Sequence, residues 1–233
     1  MLKGILSLAF GFSLMVVLLI TAARTGIYQD PSFYEREYVK YSVSKDTGAK
    51  VEDLMTVTRA MLSYLEGKRD TLEDVEIPVR GRLTPFFNTR ELVHLKDVEG
   101  IFRRVLELQK YLLIFMLLVF FLALWCRLSP EQFLSRSILW GGAVFLLVLA
   151  LGVLCISRDF NRYFILMHQL VFTNDYWILD PARDNLINML PSELFQDLAR
   201  RIALIYGLLL TASQLLAALL WHRSSKTKAF SVK

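Results

Sequence analysis

Four long apolar runs organise the chain: Gly4 to Ala23, the stretch between Lys110 and Arg127, Ser137 to Ser157, and Ile202 to Trp221. None of the four carries a charge inside it. An α-helix rises 1.5 Å per residue, so about 20 residues cover a hydrocarbon core of about 30 Å, and each run is read as a transmembrane helix. The second run is the shortest; Val105, Leu106 and Leu108 extend it, and Lys110 can snorkel to the interface. The first run exceeds the roughly 7–15 apolar residues of a signal peptide, so an uncleaved span is expected there. The expected fold is an all-α integral membrane protein. It has four transmembrane helices and an extracytoplasmic segment between spans one and two that adds helices and a short hairpin. The expected boundaries are 1–23, 107–126, 137–157 and 202–222 for the spans. Residues 24–106 and 158–201 form the extracytoplasmic segments, 127–136 a cytoplasmic link and 223–233 a basic cytoplasmic tail.

The polar stretches have their own patterns. Ile27 to Tyr41 is tyrosine-rich and is expected to run along the membrane surface. Lys45-Asp46-Thr47-Gly48 reads as a turn. Val51, Leu54, Thr58, Met61, Leu62 and Leu65 recur at helical spacing with Gly67 behind them, which predicts an amphipathic helix over Val51–Glu66 with a core-facing stripe. Val75 to Leu83 is β-branched and contains Arg80-Gly81-Arg82, which suits a hairpin or an extended loop. Asn88 followed by Glu91 is a capping-box pattern, and the helix it opens can continue into the second apolar run. Gly141, Gly142 and Gly152 give the third run flat surfaces for close helix packing. Asp180-Pro181 reads as a helix start, and Pro191-Ser192-Glu193 as the start of the last helix.

Composition strengthens this picture. The chain is 55% hydrophobic with a mean hydropathy of +0.42, too apolar for an ordinary soluble domain. The net charge of +5 bears on orientation and implies no nucleic-acid partner. Lys3, Arg127 and Arg136, and the tail with Arg223, Lys226, Lys228 and Lys233 fall on one side of four spans. The positive-inside rule makes that side cytoplasmic, with both chain ends on it. Cys126 and Cys155 lie in apolar runs, have no metal-ligand spacing and fall at opposite ends of their spans, so both are read as inert thiols.

The chain has three histidines. His222 sits in the basic tail and carries no expected chemistry. His94 precedes the second span and His168 follows the third. Spans joined by a short link are antiparallel neighbours, so both histidines are placed at the outer interface, facing each other. Each alone would suit an interfacial residue; as a pair they suit proton transfer near neutral pH. Asp97 shares a helix face with His94 and can orient its ring or raise its pKa. Phe172, Tyr176 and Trp177 suit an aromatic belt, and Asn174 and Asp175 a turn. Arg90, Arg158 and Arg162 suit lipid phosphates or the flanks of spans. No Gly-x-Ser-x-Gly, His-Glu-x-x-His, Walker or Gly-x-Gly-x-x-Gly motif occurs, so no cofactor is expected. A metal site from His94, Asp97 and His168 would need a further ligand.

Glu91-Leu92-Val93-His94-Leu95-Lys96-Asp97-Val98, followed by a span, resembles the first signature of the bacterial lipoprotein intramolecular transacylase family. His168, Phe172, Asn174-Asp175, Trp177 and Leu179-Asp180-Pro181, continuing through Asp184, Leu186-Ile187, Leu190-Pro191 and Phe195, resemble the second. One departure is Met167, where the family pattern has an aromatic. The resemblance implies four spans with two outer segments in a bacterial cytoplasmic membrane. It implies diacylglyceryl-modified lipoproteins as substrates, met among membrane phospholipids. The sn-2 acyl chain of an S-diacylglyceryl cysteine would pass to that cysteine's own α-amine, giving the lyso-form N-acyl S-monoacylglyceryl product. The attacking amine belongs to the substrate, so no enzyme nucleophile and no covalent intermediate are required. Catalytic roles are expected for His94 and His168. His94, helped by Asp97, would act as base and His168 as acid, with the roles exchangeable. Arg90, Asn174, Asp175 and Trp177 are expected to orient the site or touch substrate. The alternatives are a non-catalytic module that binds lipid or a partner, and a metal-dependent lipid hydrolase.

Overall fold

A computed structural model describes residues 2–231; for 155–157 and 225–231 it describes the backbone alone. The side chains of Cys155, Lys226 and Lys228, and Lys233 as a whole, lie outside the described residues. Among the described residues four helices are long and apolar enough to cross a membrane: α1 (Leu2–Tyr28), α5 (Thr89–Trp125), α6 (Pro130–Arg158) and α9 (Ser192–Ser231). Between α1 and α5 come α2 (Ser32–Lys40), α3 (Val43–Thr47), α4 (Val51–Leu65) and a hairpin of β1 (Glu76–Val79) and β2 (Arg82–Pro85). Between α6 and α9 come α7 (Phe160–Val171) and α8 (Asn185–Met189). The chain is a multi-pass membrane protein built in two units.

The first unit comprises Met1–Gly26, Leu106–Cys155 and Arg201–Lys233. Leu6, Phe10 and Val17 of α1 pack with Met116, Val119 and Ala123 of α5, and Met15 and Ala22 with Ile138, Tyr206 and Leu210. Lipid is as apolar as these side chains, so close packing and interhelical hydrogen bonds select the arrangement. Gly11 and Gly141 lie back to back: a Cβ on Gly141 would come within 2.8 Å of the Gly11 backbone. Gln214 occupies the space over Gly142 and donates to the Ile138 carbonyl at 2.9 Å. Gln109 donates to Thr21 at 3.0 Å, and the Tyr206 hydroxyl to the Met15 carbonyl at 3.1 Å. Gly152, expected to provide a packing surface, has nothing near its missing Cβ.

The second unit comprises Ile27–Val105 and Ile156–Arg200. Its core gathers Tyr38, Leu54, Val57, Phe86, Met189 and Leu194. The tyrosine-rich segment does not run along a surface: α1 continues to Tyr28, and Phe33, Tyr34 and Tyr38 of α2 are buried. Tyr38 and Thr58 hydrogen-bond through their hydroxyls at 2.6 Å, which explains why a tyrosine can be fully enclosed there. The turn expected at 45–48 is the end of α3, closed by Gly48 at φ 72°. Arg80 and Gly81 both have positive φ, 51° and 80°, the backbone of a two-residue hairpin turn, and they set the register Val79↔Arg82. The start of α9 is pinned to α2: Asp197 accepts from Lys40, from the Tyr41 hydroxyl at 2.6 Å and from Arg200 at 2.8 Å. Burial works to raise the Asp197 pKa, and the hydrogen bonds from Lys40 and Tyr41 outweigh it and hold the carboxyl far below the usual range. Burial, and the neighbouring Asp197, push Glu37 upward.

Candidate active site

The site begins at the N-terminus of α5. The Asn88 side-chain oxygen accepts from the backbone N–H groups of Arg90 at 2.9 Å and Glu91 at 3.1 Å. Glu91 returns the bond, accepting from the Asn88 N–H at 2.7 Å, so the capping box closes. Glu91 is fully buried, and its second oxygen accepts from the Leu186 N–H at 2.5 Å. One carboxylate therefore caps two helices, α5 and α8. Burial raises its pKa, opposed by the N–H groups of Asn88 and Leu186. Asn88 also donates to Asp184 at 2.6 Å, Asp184 accepts from the Asp180 N–H at 2.6 Å, and Asn185 donates to the Phe86 carbonyl at 2.7 Å. These bonds lock the segment before α9 onto the start of α5. Asp180-Pro181, expected to open a helix, opens a turn: the N–H groups of Arg183 and Asp184 return to the Asp180 carbonyl, and the helix starts only at Asn185.

His94 is one turn beyond Glu91 on α5, well before the charge-free part of that helix, and is 8% exposed. α7 brings the second histidine. Asp159 caps it, accepting from the Arg162 N–H at 3.1 Å, and His168 lies near its end, also 8% exposed. The two imidazole centroids are 6.0 Å apart. Phe172 lies 5.1 Å from His94 and 5.5 Å from His168. Trp177 lies 5.2 Å from His168, and Phe164 lies 4.4 Å from it. Phe172 and Trp177 thus wall the imidazole pair, where the sequence suggested an aromatic belt.

The loop after α7 is tied back to α5 by polar side chains. Asn174 donates to Asp97 at 2.8 Å and accepts from the Tyr176 N–H at 3.1 Å. Arg90 donates to the Ile178 carbonyl at 3.1 Å and to the Asp175 carbonyl, with its guanidinium 5.8 Å over the Tyr176 ring. Arg90 and Asp97 hold this loop, and Asp175 enters through its backbone. No hydrogen bond joins Asp97 to His94, so the expected orienting contact is absent among the described residues; Asp97 acts on His94 through its charge alone.

The two rings differ in their environment. His168 Nδ1 is 2.7 Å from the Phe164 carbonyl; a carbonyl only accepts, so Nδ1 carries a proton, and in the neutral ring the lone pair is then on Nε2. His94 Nδ1 is buried without a partner. Burial, reinforced by the nearby His168 and opposed by Asp97, lowers the His94 pKa to about 4. At neutral pH His94 is therefore an uncharged imidazole. Among the described residues no three His, Cys, Asp or Glu side chains converge as metal ligands. Sequence reading passed over the second cap made by Glu91 and the Phe164 carbonyl. A Glu three residues after a cap was visible, but Leu186 as its second donor was not.

A multi-span membrane protein with two buried, facing imidazoles on paired polar segments is the class that this fold and site define. Residues 8–195 match the family model "Lipoprotein intramolecular transacylase Lit". The chain belongs to that family and is an acyltransferase. Among solved structures, the in meso structure of Lit from Bacillus cereus is similar over 98% of both chains, with a TM-score of 0.73 at 21% identity. Variants of that protein with one histidine replaced by alanine or by arginine each give 0.71 at 22% identity, covering 97% of this chain and 96% or 94% of theirs. At that identity the likeness speaks for the fold. No curated protein matches the chain.

Proposed function

We propose that the protein moves the sn-2 acyl chain of an S-diacylglyceryl cysteine onto that cysteine's α-amine, with His94 and His168 as catalytic residues and no covalent enzyme intermediate. The amine nitrogen attacks the ester carbonyl; the C–N bond forms and the bond to the glycerol sn-2 oxygen breaks. His168 Nε2 takes the proton from the attacking nitrogen and delivers it to the departing glycerol oxygen. Neutral His94, with Nδ1 buried and bare, presents Nε2–H to the carbonyl oxygen as charge develops there. This differs from the division expected from the sequence: His168 serves as both base and acid, and His94 as the donor to the developing oxyanion. The observation that carries it is the bond of His168 Nδ1 to the Phe164 carbonyl, set against the unpartnered Nδ1 of His94. Asp97, Arg90, Asn174 and Asp175 act as positioning residues, and Trp177 closes the site over the substrate.

We further infer that Lys3, the α5–α6 link and the basic tail face the cytoplasm of a bacterial cell, and that the site opens at the outer face of its membrane. Membrane lipoproteins are the partners. The test uses purified protein and a synthetic diacylglyceryl lipopeptide. The product has an unchanged mass and a blocked α-amine, which fragmentation mass spectrometry resolves. His94→Ala and His168→Ala should each slow its formation by roughly 10²–10⁴-fold. Wild-type rates in both variants, or chelator-sensitive release of free fatty acid, would overturn the proposal.

A further inference from the structure

Away from the imidazole pair, the first unit carries a second chemical feature. Where α1 and α6 begin and α5 ends, a cavity of about 540 Å³ is lined by Lys3, Arg127, Arg136, Glu131, Gln132 and Trp221, among others. Three cations thus face one carboxylate. Among the described residues none of the three cations makes an ion pair or a side-chain hydrogen bond. Glu131 balances one of these three charges at most, and like charges repel one another, so the cluster is held together by its helices and not by ion pairs of its own.

Arg127 supplies an independent observation. It closes α5 in the left-handed region, φ 54°, with the Leu128 N–H returning to the Ala123 carbonyl at 3.0 Å and its own N–H to Leu124 at 2.8 Å. This is the helix-ending position that glycine fills at no steric cost. An arginine there keeps a strained backbone and gains only its side chain, which lines the cavity.

Two apolar grooves adjoin the cationic chamber. One shares Lys3, Leu128 and Arg136 with it and continues along Leu2, Leu6 and Cys126. The other shares Arg136 and Trp221 and continues along Leu139, Trp140 and Ala143. Arg136 stands where all three meet. A cationic chamber with two apolar channels leaving it has the chemistry of a headgroup phosphate and two acyl chains. Free phosphate would need only the chamber.

We propose that this end of the bundle binds a diacyl phospholipid with an anionic headgroup. Its phosphate sits between Arg127, Arg136 and Lys3, and its chains lie in the two grooves. On the topology inferred above, the lipid comes from the cytoplasmic leaflet; the binding itself is independent of that topology and of the acyl-transfer chemistry.

The test is native mass spectrometry and thermal unfolding of delipidated full-length protein in detergent, with dioleoyl phosphatidylglycerol, dioleoyl phosphatidylcholine or inorganic phosphate added. Phosphatidylglycerol should be retained at least about tenfold better than phosphatidylcholine, should raise the unfolding temperature, and should not be displaced by millimolar phosphate. Arg136→Gln should abolish that preference. Arg127→Gly should also abolish it while leaving the unfolding temperature of the lipid-free protein unchanged or higher, because the backbone strain is relieved. Equal retention of the two lipids, preference unchanged in both variants, or stabilisation by inorganic phosphate alone equal to that by lipid would each overturn the proposal.

Discussion

At His94 the decisive quantity is the cost of charge. Its pKa falls from 6.5 to about 4 because burial, with His168 nearby, penalises the imidazolium. Between those values the unfolded chain binds a proton that the folded chain does not, so stability rises with pH across the window. The contribution is complete above pH 6.5, is lost progressively on acidification, and levels off below pH 4; its size is at most about 3 kcal/mol. Unfolding free energies measured in detergent from pH 4 to 7 should therefore slope upward, and His94→Gln should flatten the slope. An unchanged slope would mean that His94 charges freely in the folded protein. Arg90 poses a different test. Lysine has one nitrogen for two carbonyls and cannot stack flat on Tyr176, so Arg90→Lys should fail to restore what Arg90→Ala loses. Hydrogen exchange should report faster opening of 173–180 in both variants, and kcat should fall more than KM rises if the loop positions the site. That His94 and His168 would meet was legible, because topology puts both beside the same helix ends. Which nitrogen of the His168 ring is committed was not, because Phe164 contributes a backbone carbonyl and every residue has one.

At the scale of elements, the helix starts carry the site. The pattern Asn88–Glu91 is local and was readable, as was a helix running from it into an apolar stretch. The second task of Glu91 is nonlocal: Leu186 is distant in sequence, and an N–H donor has no residue signature. The same reason hid the true start of α8. Asp180 and Pro181 have the composition of a helix start, yet Asp184 is already engaged by Asn88 and by the Asp180 N–H, so the chain turns first. Glu91→Ala should leave the N–H groups of Asn88 and Leu186 unpaired in a buried place, at about 1–3 kcal/mol each. Thermal unfolding in detergent should show the loss, and exchange at the Leu186 amide should accelerate. Glu91→Gln keeps the acceptor oxygen and should recover part of both. If alanine and glutamine behave alike, the carboxylate's charge and not its two bonds is what matters. α2 shows the limit of composition at this scale: tyrosines suit a membrane surface and a core equally, and the partner hydroxyl of Thr58 decides for the core.

For the whole molecule, apolar length was sufficient to find the four crossing helices, because a hydrocarbon core sets a minimum that no soluble element mimics. How those helices choose their neighbours is a finer matter. Gly141, Gly142 and Gly152 are indistinguishable as letters, yet they meet the Gly11 backbone, the Gln214 side chain and nothing at all. A methyl group at Gly141 would have to displace the backbone of α1, which has no rotamer to yield, whereas Gln214 is a flexible side chain over Gly142. Gly141→Ala should thus push α1 and α6 apart and cost about 1–3 kcal/mol. Gly152→Ala should be neutral or slightly stabilising, since alanine is the better helix former by about 1 kcal/mol. Unfolding of the two variants in detergent, measured side by side with Gly142→Ala between them, sets the order. If Gly141→Ala and Gly152→Ala unfold together, close backbone contact is not what holds α1 against α6, and the hydrogen bonds of Gln109, Tyr206 and Gln214 must carry the bundle instead.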